Sequence, residues 1–495
     1  MSQTTPDYTN LVNEIRSNFE TRKSYPIEYR LQQLQALRAG LRAMEKDILA
    51  ACHKDLRRHS VESFLGEIVT SFTELDFAVE NLAKWMAPDS HWAPAICQPG
   101  TLKCLKQPKG VTLIIAPWNF PVFLALSPLV AAIAAGCAAV IKPSEMAPAC
   151  SKVLFKLVSE NLDQELYRVV EGDIPETTAL LAQRWNHILY TGNGAVGKIV
   201  AKAAAESLCS STLELGGKSP VYVAEDANVR VAARRVAGSK MFNNGQVCIA
   251  PDYVLCHEKV LDQFLAEVKI HTDLCLTNDA QKSDSLTRIV NARHFDRLSR
   301  ALAEEHGGRV VQGGLTKADK QDLFIPLTVV LNPKPESKLL NDEIFGPVLP
   351  VVSVKSLQDA LKIINAKDSS LASYVFTESS QTSDAFIKHT NSGGSAVNEC
   401  LLHISSPHVP FGGHSGGGSG YGAYHGVYGF NEFTHMRIEY NHFTMVDPQD
   451  RYLPYDDGKL DAMRFLFVDG IPQYVKTGMQ VAALGGLALM LRAKL

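Results

Sequence analysis

From Tyr8 to Leu56 apolar residues recur at helical spacing. Leu31, Leu34, Leu37, Leu41 and Met44 are separated by Arg, Gln and Glu, so the stretch predicts helices that pack one face inward. A second amphipathic stretch runs from about Ser60 to Trp85, after which Pro88, Pro94 and Pro99 break regular structure. The pattern then changes. Gly110 to Ala116 is a short apolar run closed by Pro117, which predicts a strand buried on both faces. Leu124 to Ala135 is apolar all round and predicts a buried helix. Ala138 to Ile141 reads as a further strand, Val169 to Asp173 as a strand and turn, and His187 to Thr191 as a strand leading into a helix through about Ala205. Asp252 to Cys256 reads as a strand and Val260 to Ile270 as an amphipathic helix. Strands alternating with helices predict an α/β fold.

A chain of 495 residues is too long for one simple core, so two or three domains are expected. With 46% hydrophobic and 20% charged residues it has ordinary globular composition. A formal net charge of −3 and the lack of a long basic run give no support for nucleic-acid binding. The 10 cysteines form no Cys-x-x-Cys pair and no His cluster accompanies them, so no metal site is expected. Scattered thiols suggest a reducing compartment. Met1 to Asn10 is polar, without the apolar region of a secretory signal.

The chemistry concentrates between Leu213 and Cys248. The segment opens Leu213-Glu214-Leu215-Gly216-Gly217-Lys218 and closes Phe242-Asn243-Asn244-Gly245-Gln246-Val247-Cys248. A thiol attacks a carbonyl carbon, and a carboxylate activates the water that breaks the resulting thioester. Glycine at each end permits close approach of another group. A lone Cys would more often be a small buried hydrophobe. Two other places stand out. Pro117-Trp118-Asn119-Phe120-Pro121 is a stiff turn at a strand's carboxyl end, where open α/β sheets bind ligands. Read locally, Asn119 caps the next helix. Lys142-Pro143-Ser144-Glu145 follows the second buried strand and reads locally as a solvated loop.

Together these motifs resemble the aldehyde dehydrogenase superfamily. Glu-Leu-Gly-Gly-Lys, Asn-x-Gly-Gln-x-Cys and Pro-Trp-Asn-Phe-Pro all match, as does Glu343-Ile344-Phe345-Gly346-Pro347 against Glu-x-Phe-Gly-Pro. Cys248-Ile249-Ala250-Pro251-Asp252-Tyr253 looks like the class 3, or fatty aldehyde, branch, and Ser395 to Asn398 and Pro410 to Gly413 also match class 3 positions. The resemblance implies Cys248 as nucleophile, Glu214 as the base that activates water, and Asn119 as donor to the oxyanion. It implies NAD, with NADP as an alternative, held by Trp118, Lys142, Glu145, Gly192, Gly197, Gly216, Glu343 and Phe345, and no metal. Gly192-Asn193-Gly194-Ala195-Val196-Gly197 also spells Gly-x-Gly-x-x-Gly, which in an ordinary dinucleotide-binding unit would make Glu214 a ribose ligand. The resemblance instead reads it as Gly-x-x-x-x-Gly, with Gly194 where the family usually carries a hydroxyl. The implied architecture is a doubly wound NAD-binding domain (1–84 and 105–216), an α/β catalytic domain (217–416) and a small β oligomerisation element (85–104 and 430–442). The implied substrates are medium- or long-chain fatty aldehydes and the implied assembly a homodimer. The alternatives are a semialdehyde or aromatic aldehyde dehydrogenase, and a non-catalytic membrane-associated scaffold. The chain departs from the pattern at His414 to Gly418, where extra glycines are expected to loosen the loop.

From about residue 443 a tail follows. Gly478 to Leu491 is apolar between Lys476 and Arg492, about fourteen residues against the roughly 20 that span a bilayer. It reads as a tail anchor, as in the fatty aldehyde branch, or as an amphipathic or groove-packing helix. Ala493-Lys494-Leu495 stands close to a peroxisomal address. The expected location is intracellular and membrane-associated, at the endoplasmic reticulum, mitochondrial outer membrane or peroxisome.

Overall fold

The computed structural model describes residues 7–98, 100–276, 279–445 and 447–469. The apolar segment 478–491 and the last three residues lie outside them. The chain forms two compact units, one of residues 1–85 and 108–434, the other of 86–107 and 435–495.

The first unit begins with helices Thr9–Glu20, Ile27–Ala43 and Glu45–Leu56. The continuous helical pattern divides after Glu20, where Arg22 turns left-handed (φ 63°) and Pro26 caps the next helix, and again at Met44; Arg57 turns left-handed (φ 51°) after the third helix. Leu34, Leu37 and Leu41 have no solvent exposure. Burying each stabilises by about 1.5–3 kcal/mol.

Two sheets build the rest of this unit. The first has six strands in the spatial order Tyr167–Val169, Ala138–Lys142, Val111–Ile115, His187–Gly192, Ser210–Leu215 and Gly420–Tyr421. The first five run parallel, and Gly420–Tyr421 pairs antiparallel along Leu213 and Glu214. Val111–Ile115 and Ala138–Lys142 are buried along their whole length, which is why they read as unbroken apolar runs. The helix expected between them is Phe123–Ala135, every residue of it buried. It packs on both strands and on helices Ile27–Ala43 and Gly426–Glu432.

One strand lies earlier than its apolar pattern suggests. The strand is Tyr167–Val169, two residues ahead of the strand and turn expected over Val169 to Asp173. Asp173 and Glu176 instead form a capping box: the Asp173 side chain accepts from Ile174 N, and Glu176 from Asp173 N at 2.7 Å. Asp173, the last residue of the expected strand and turn, is thus the N-cap of helix Ile174–Leu181.

The second sheet has seven strands: Arg309–Gln312, Thr328–Leu331, Val348–Val354, Tyr253–His257, Pro220–Val223, Ser370–Phe376 and Ser392–Val397. All but Arg309–Gln312 are parallel to their neighbours. Helices Val229–Met241 and Leu261–Leu276 pack on each other beside it.

The other unit holds strands Asp89–His91 and Thr101–Pro108, and most of Thr434–Asn441, in a three-stranded sheet. Met436, Ile438 and Tyr440 alternate along one face and are exposed, Ile438 to 75%. No described helix is long and apolar enough to cross a membrane.

Candidate active site

The cysteine loop is built from three successive left-handed residues after helix Val229–Met241: Asn243 (φ 47°), Asn244 (φ 54°) and Gly245 (φ 73°). Asn tolerates this region better than most residues, and Gly carries no penalty there. At Gly245 a side chain is also excluded, because a Cβ would lie 2.4 Å from Gly346 O. Gln246 then stitches the loop to the segment Arg288–Val290. Its amide nitrogen donates to Asn243 O (3.1 Å) and Arg288 O (2.9 Å), and its amide oxygen accepts from Val290 N (3.0 Å). Cys248 emerges from this braced turn deep in the fold, yet keeps partial solvent access. Burial raises its thiol pKa far above the ordinary value, and the carboxylates of Glu214 and Glu343 push the same way. The N–H groups of Cys248 and Ile249 oppose them by favouring the thiolate.

Glu214 comes from the six-stranded sheet, between Thr191 on one neighbouring strand and Gly420 on the other. It is 1% exposed, and neither carboxylate oxygen has a hydrogen-bond partner among the described residues. Burial alone lifts its pKa well above the usual carboxylate range. A buried carboxylate with free lone pairs is a stronger proton acceptor than an exposed one. Its charge reaches Cys248 and Tyr424, so it belongs to the cysteine's pocket.

Asn119 reaches the same place from the turn after strand Val111–Ile115. It is 3% exposed, and its amide nitrogen donates to Gln246 O at 3.1 Å. An amide has two N–H donors, so the second is left for another oxygen. The Asn119 carbonyl accepts from Arg58 (2.8 Å) and from the Asn243 amide (3.1 Å).

The remaining expected positions form two groups. In the first, Trp118 packs edge-on against Phe345 (5.3 Å between centroids) and against His294 (5.4 Å). Glu343 accepts from Gly217 N at 3.1 Å, and a Cβ on Gly216 would fall 2.1 Å from its carboxylate. Burial, with Asp252 nearby, raises the Glu343 carboxyl to about 7. In the second group, Lys142 at the end of its strand donates to Pro143 O (2.7 Å) and lies 3.7 Å from the half-exposed Glu145. Glu145 also faces Tyr190 on the strand that ends at Gly192. Side chains are excluded at Gly192, by the Tyr190 hydroxyl, and at Gly197, by Leu215. Between these glycines Asn193 caps helix Gly194–Glu206, its side chain accepting from Val196 N (3.0 Å).

These residues fit a dinucleotide. A helix N-terminus, two side-chain-free glycines, a Lys–Glu pair at a strand end and an aromatic edge pair would supply anion, ribose and ring contacts.

Several residues with no motif of their own hold the site. Arg297 donates to the carbonyls of Glu343 (3.2 Å) and Ile344 (2.6 Å). Asp252, read from sequence as the start of a strand and as part of the class 3 segment but given no role, accepts from Ile344 N (3.1 Å) and from Lys218 (2.6 Å). His294 is held neutral, its pKa lowered to about 4 by burial and by Arg297 and Arg293. A helical Arg or His on an amphipathic face looks like surface in sequence; only the tertiary contact distinguishes it. A cavity of about 520 Å³ lies elsewhere, beside His53, Arg57, Lys282 and Arg288. Asp322 pairs with both of its arginines, and none of the site residues lines it.

Two α/β sheets that bring a thiol, a buried carboxyl and an amide together beside a dinucleotide cradle define a nucleotide-dependent enzyme acting on carbonyl carbon. Comparison with known proteins fixes the family. The profile of the aldehyde dehydrogenase family matches residues 1–438. Aldehyde dehydrogenase family 3 member A2 of Rattus norvegicus is 42% identical over 426 residues, covering 86% of this chain and 87% of that one. The dimeric NADP-preferring aldehyde dehydrogenase of Canis lupus familiaris is 39% identical, covering 86% and 93%. Among solved structures, the substrate-bound state of Staphylococcus aureus AldH superposes with a TM-score of 0.88 at 35% identity, covering 92% of this chain and 98% of that one. The chain belongs to the aldehyde dehydrogenase family. It is an aldehyde-oxidising oxidoreductase that uses NAD(P), with class 3 members among its relatives.

Proposed function

We propose that this chain oxidises medium- or long-chain fatty aldehydes to carboxylic acids with NAD, through a thioester on Cys248. One observation carries the mechanism: the Glu214 carboxyl, buried and without a hydrogen-bond partner among the described residues, shares a pocket with a thiol that keeps solvent access. Cys248 attacks the aldehyde carbon, and its proton passes to a nearby carboxylate. The free N–H of the Asn119 amide and the Cys248 backbone N–H hold the oxygen as it becomes negative. Loss of hydride turns the adduct into a thioester, and NAD(P), when bound, would supply the hydride acceptor. Trp118, Phe345, Glu343 and Gly216 would hold it at the cysteine end, and Lys142, Glu145, Gly192 and Gly197 would hold the rest. Glu214 then takes a proton from water, which attacks the thioester and releases the acid. The acid at 145 disfavours a 2′-phosphate, which supports NAD; the name of the canine relative keeps NADP as the second reading.

The homodimer we propose uses the exposed apolar face of Met436, Ile438 and Tyr440. Membrane attachment through segment 478–491 is proposed from its apolar sequence and would place the enzyme where long aldehydes dissolve. The test is steady-state kinetics on aldehydes of about 3 to 16 carbons with each nucleotide, using wild type and Cys248→Ala. Specificity should rise with chain length and favour NAD, and Cys248→Ala should bind NAD but turn over no aldehyde. Turnover in that variant would remove Cys248 as nucleophile; a preference for semialdehydes or aromatic aldehydes would remove the fatty reading. Sedimentation of the full chain, and of one ending at Lys476, with and without vesicles tests the dimer and the tail. Monomers, or full-length protein that ignores vesicles, would sink each in turn.

A further inference from the structure

The turn that presents the Asn119 amide is gripped from both ends by a buried ion pair. Arg58 and Glu67 are both fully excluded from solvent and pair directly. Arg58 follows the left-handed Arg57 that ends helix Glu45–Leu56. Its Nη1 donates to Asn119 O at 2.8 Å and its Nε to Ser63 Oγ at 3.1 Å, while the guanidinium lies 5.0 Å from the Phe120 ring centroid. Its Nη2 binds the Glu67 carboxylate and approaches Cys52 Sγ at 3.4 Å. The second oxygen of Glu67 accepts from Val122 N (3.1 Å) and Phe123 N (2.7 Å), at the positive end of helix Phe123–Ala135. Burial lifts the Glu67 carboxyl, and Arg58 and these two N–H groups oppose it. The cation thus fixes the carbonyl of residue 119, and the anion fixes the backbone at 122 and 123.

Stability is a weak reason for such a pair. Apolar residues of similar volume often replace a buried ion pair without loss. What apolar residues could not supply is a donor for the Asn119 carbonyl or an acceptor for two N–H groups. We infer that Arg58 and Glu67 are positioning residues for the oxyanion donor, holding the Asn119 peptide so that its free amide N–H stays aimed at the oxygen of an aldehyde bound to Cys248. The Asn243 amide, which donates to both Asn119 O and Gln246 O at 3.1 Å, ties the same peptide to the cysteine loop. The inference rests on the oxyanion role proposed for Asn119.

The test is a double-mutant cycle between position 58 and position 119, read as the rate of the first NADH burst, the aldehyde KM and the NAD dissociation constant. Arg58→Met should slow the burst about 10- to 100-fold, the cost of misplacing one donor by an ångström or so. KM and NAD affinity should stay within about twofold, and Arg58→Lys should recover part of the rate. In an Asn119→Ala background Arg58→Met should cost less than about threefold more, because the group it positions is gone. If Arg58→Met does not fold, Arg58→Met/Glu67→Leu fills the core and carries the same cycle. Equal losses in both backgrounds, or a wild-type burst in Arg58→Met, would overturn the inference alone. A wild-type burst in Asn119→Ala would overturn the role of Asn119 and the inference with it.

Discussion

Replacing Glu214 with Gln changes one atom type and keeps the shape, so it isolates what the carboxylate does. The wild-type group is 1% exposed, with neither oxygen engaged by a described residue, and burial holds its proton affinity high. A general base contributes about 10²–10⁴-fold to the step it serves. Here the loss belongs near the lower end, because Glu343 remains beside the thiol with a pKa of about 7 and is half ionised at neutral pH. Acylation uses Cys248 and Asn119, so it survives. Rapid mixing should show a burst approaching one NADH per site, then turnover about a hundredfold slower than wild type. Two further readouts follow from the same charge. Glu214 disfavours the Cys248 thiolate, so iodoacetamide should alkylate the variant several-fold faster at fixed pH. The folded pKa of Glu214 lies above its ordinary 4.5, so its contribution to stability is complete below that value and is lost as pH rises through the folded pKa. Glutamine escapes that loss, and the variant should gain on wild type in thermal stability as pH rises from about 4.5 upward. The reasoning fails if the burst disappears while a preformed thioester hydrolyses at the wild-type rate. If only the NAD dissociation constant rises, Glu214 is the ribose ligand that the Gly-x-Gly-x-x-Gly reading would make it.

Gly245→Ala should cost about 1–2 kcal/mol for its left-handed backbone, and more as the new Cβ, 2.4 Å from Gly346 O, pushes the two loops apart. Activity should fall at least tenfold while the protein still unfolds cooperatively in a thermal scan; wild-type kinetics would refute the close approach of the loops. Glu343→Gln should remove an inflection near pH 7 from the pH profile of NAD binding, since that carboxyl is held at about 7. It should also flatten the loss of wild-type stability between about pH 4.5 and 7, and an unchanged profile on both measures would place the titration elsewhere.

How much of this was legible in the sequence depended on burial. Strands covered on both faces, such as Val111–Ile115 and Ala138–Lys142, appear as apolar runs and are found within a residue or two. Helix Phe123–Ala135 is apolar on every side and is found the same way. Where local polar chemistry competes with the run, the reading slips. Val170 looks like strand, but the Asp173–Glu176 capping box ends the strand at Val169. The two-residue strand Gly420–Tyr421 has no apolar pattern, and its pairing with Leu213 and Glu214 joins positions more than 200 apart. Cys248, Glu214 and Asn119 were visible through their glycine- and proline-rich surroundings. Arg58, Glu67 and Arg297 were not, because nothing local separates a charge that will be buried from one on a solvated helix face.

Those buried charges divide by how far their hydrogen bonds are satisfied. Arg58, Glu67, Lys218 and Asp252 are each paired, and each also binds a main-chain carbonyl or N–H of the site: Asn119 O, Val122 N and Phe123 N, Asp342 O, and Ile344 N. A charge with its bonds filled has nothing left to offer a reactant, and what it supplies is a fixed backbone. Glu214 is the opposite case. Leaving a buried carboxyl without donors is unfavourable in the resting protein, and one donor nearby would relieve it. The fold holds Glu214 instead on a strand hydrogen-bonded on both edges, with Thr191 and Gly420 as its neighbours and its side chain facing the cysteine pocket. A site that fills the hydrogen bonds of its supporting charges and leaves one carboxyl empty keeps its proton-accepting capacity where the thioester and its water would meet.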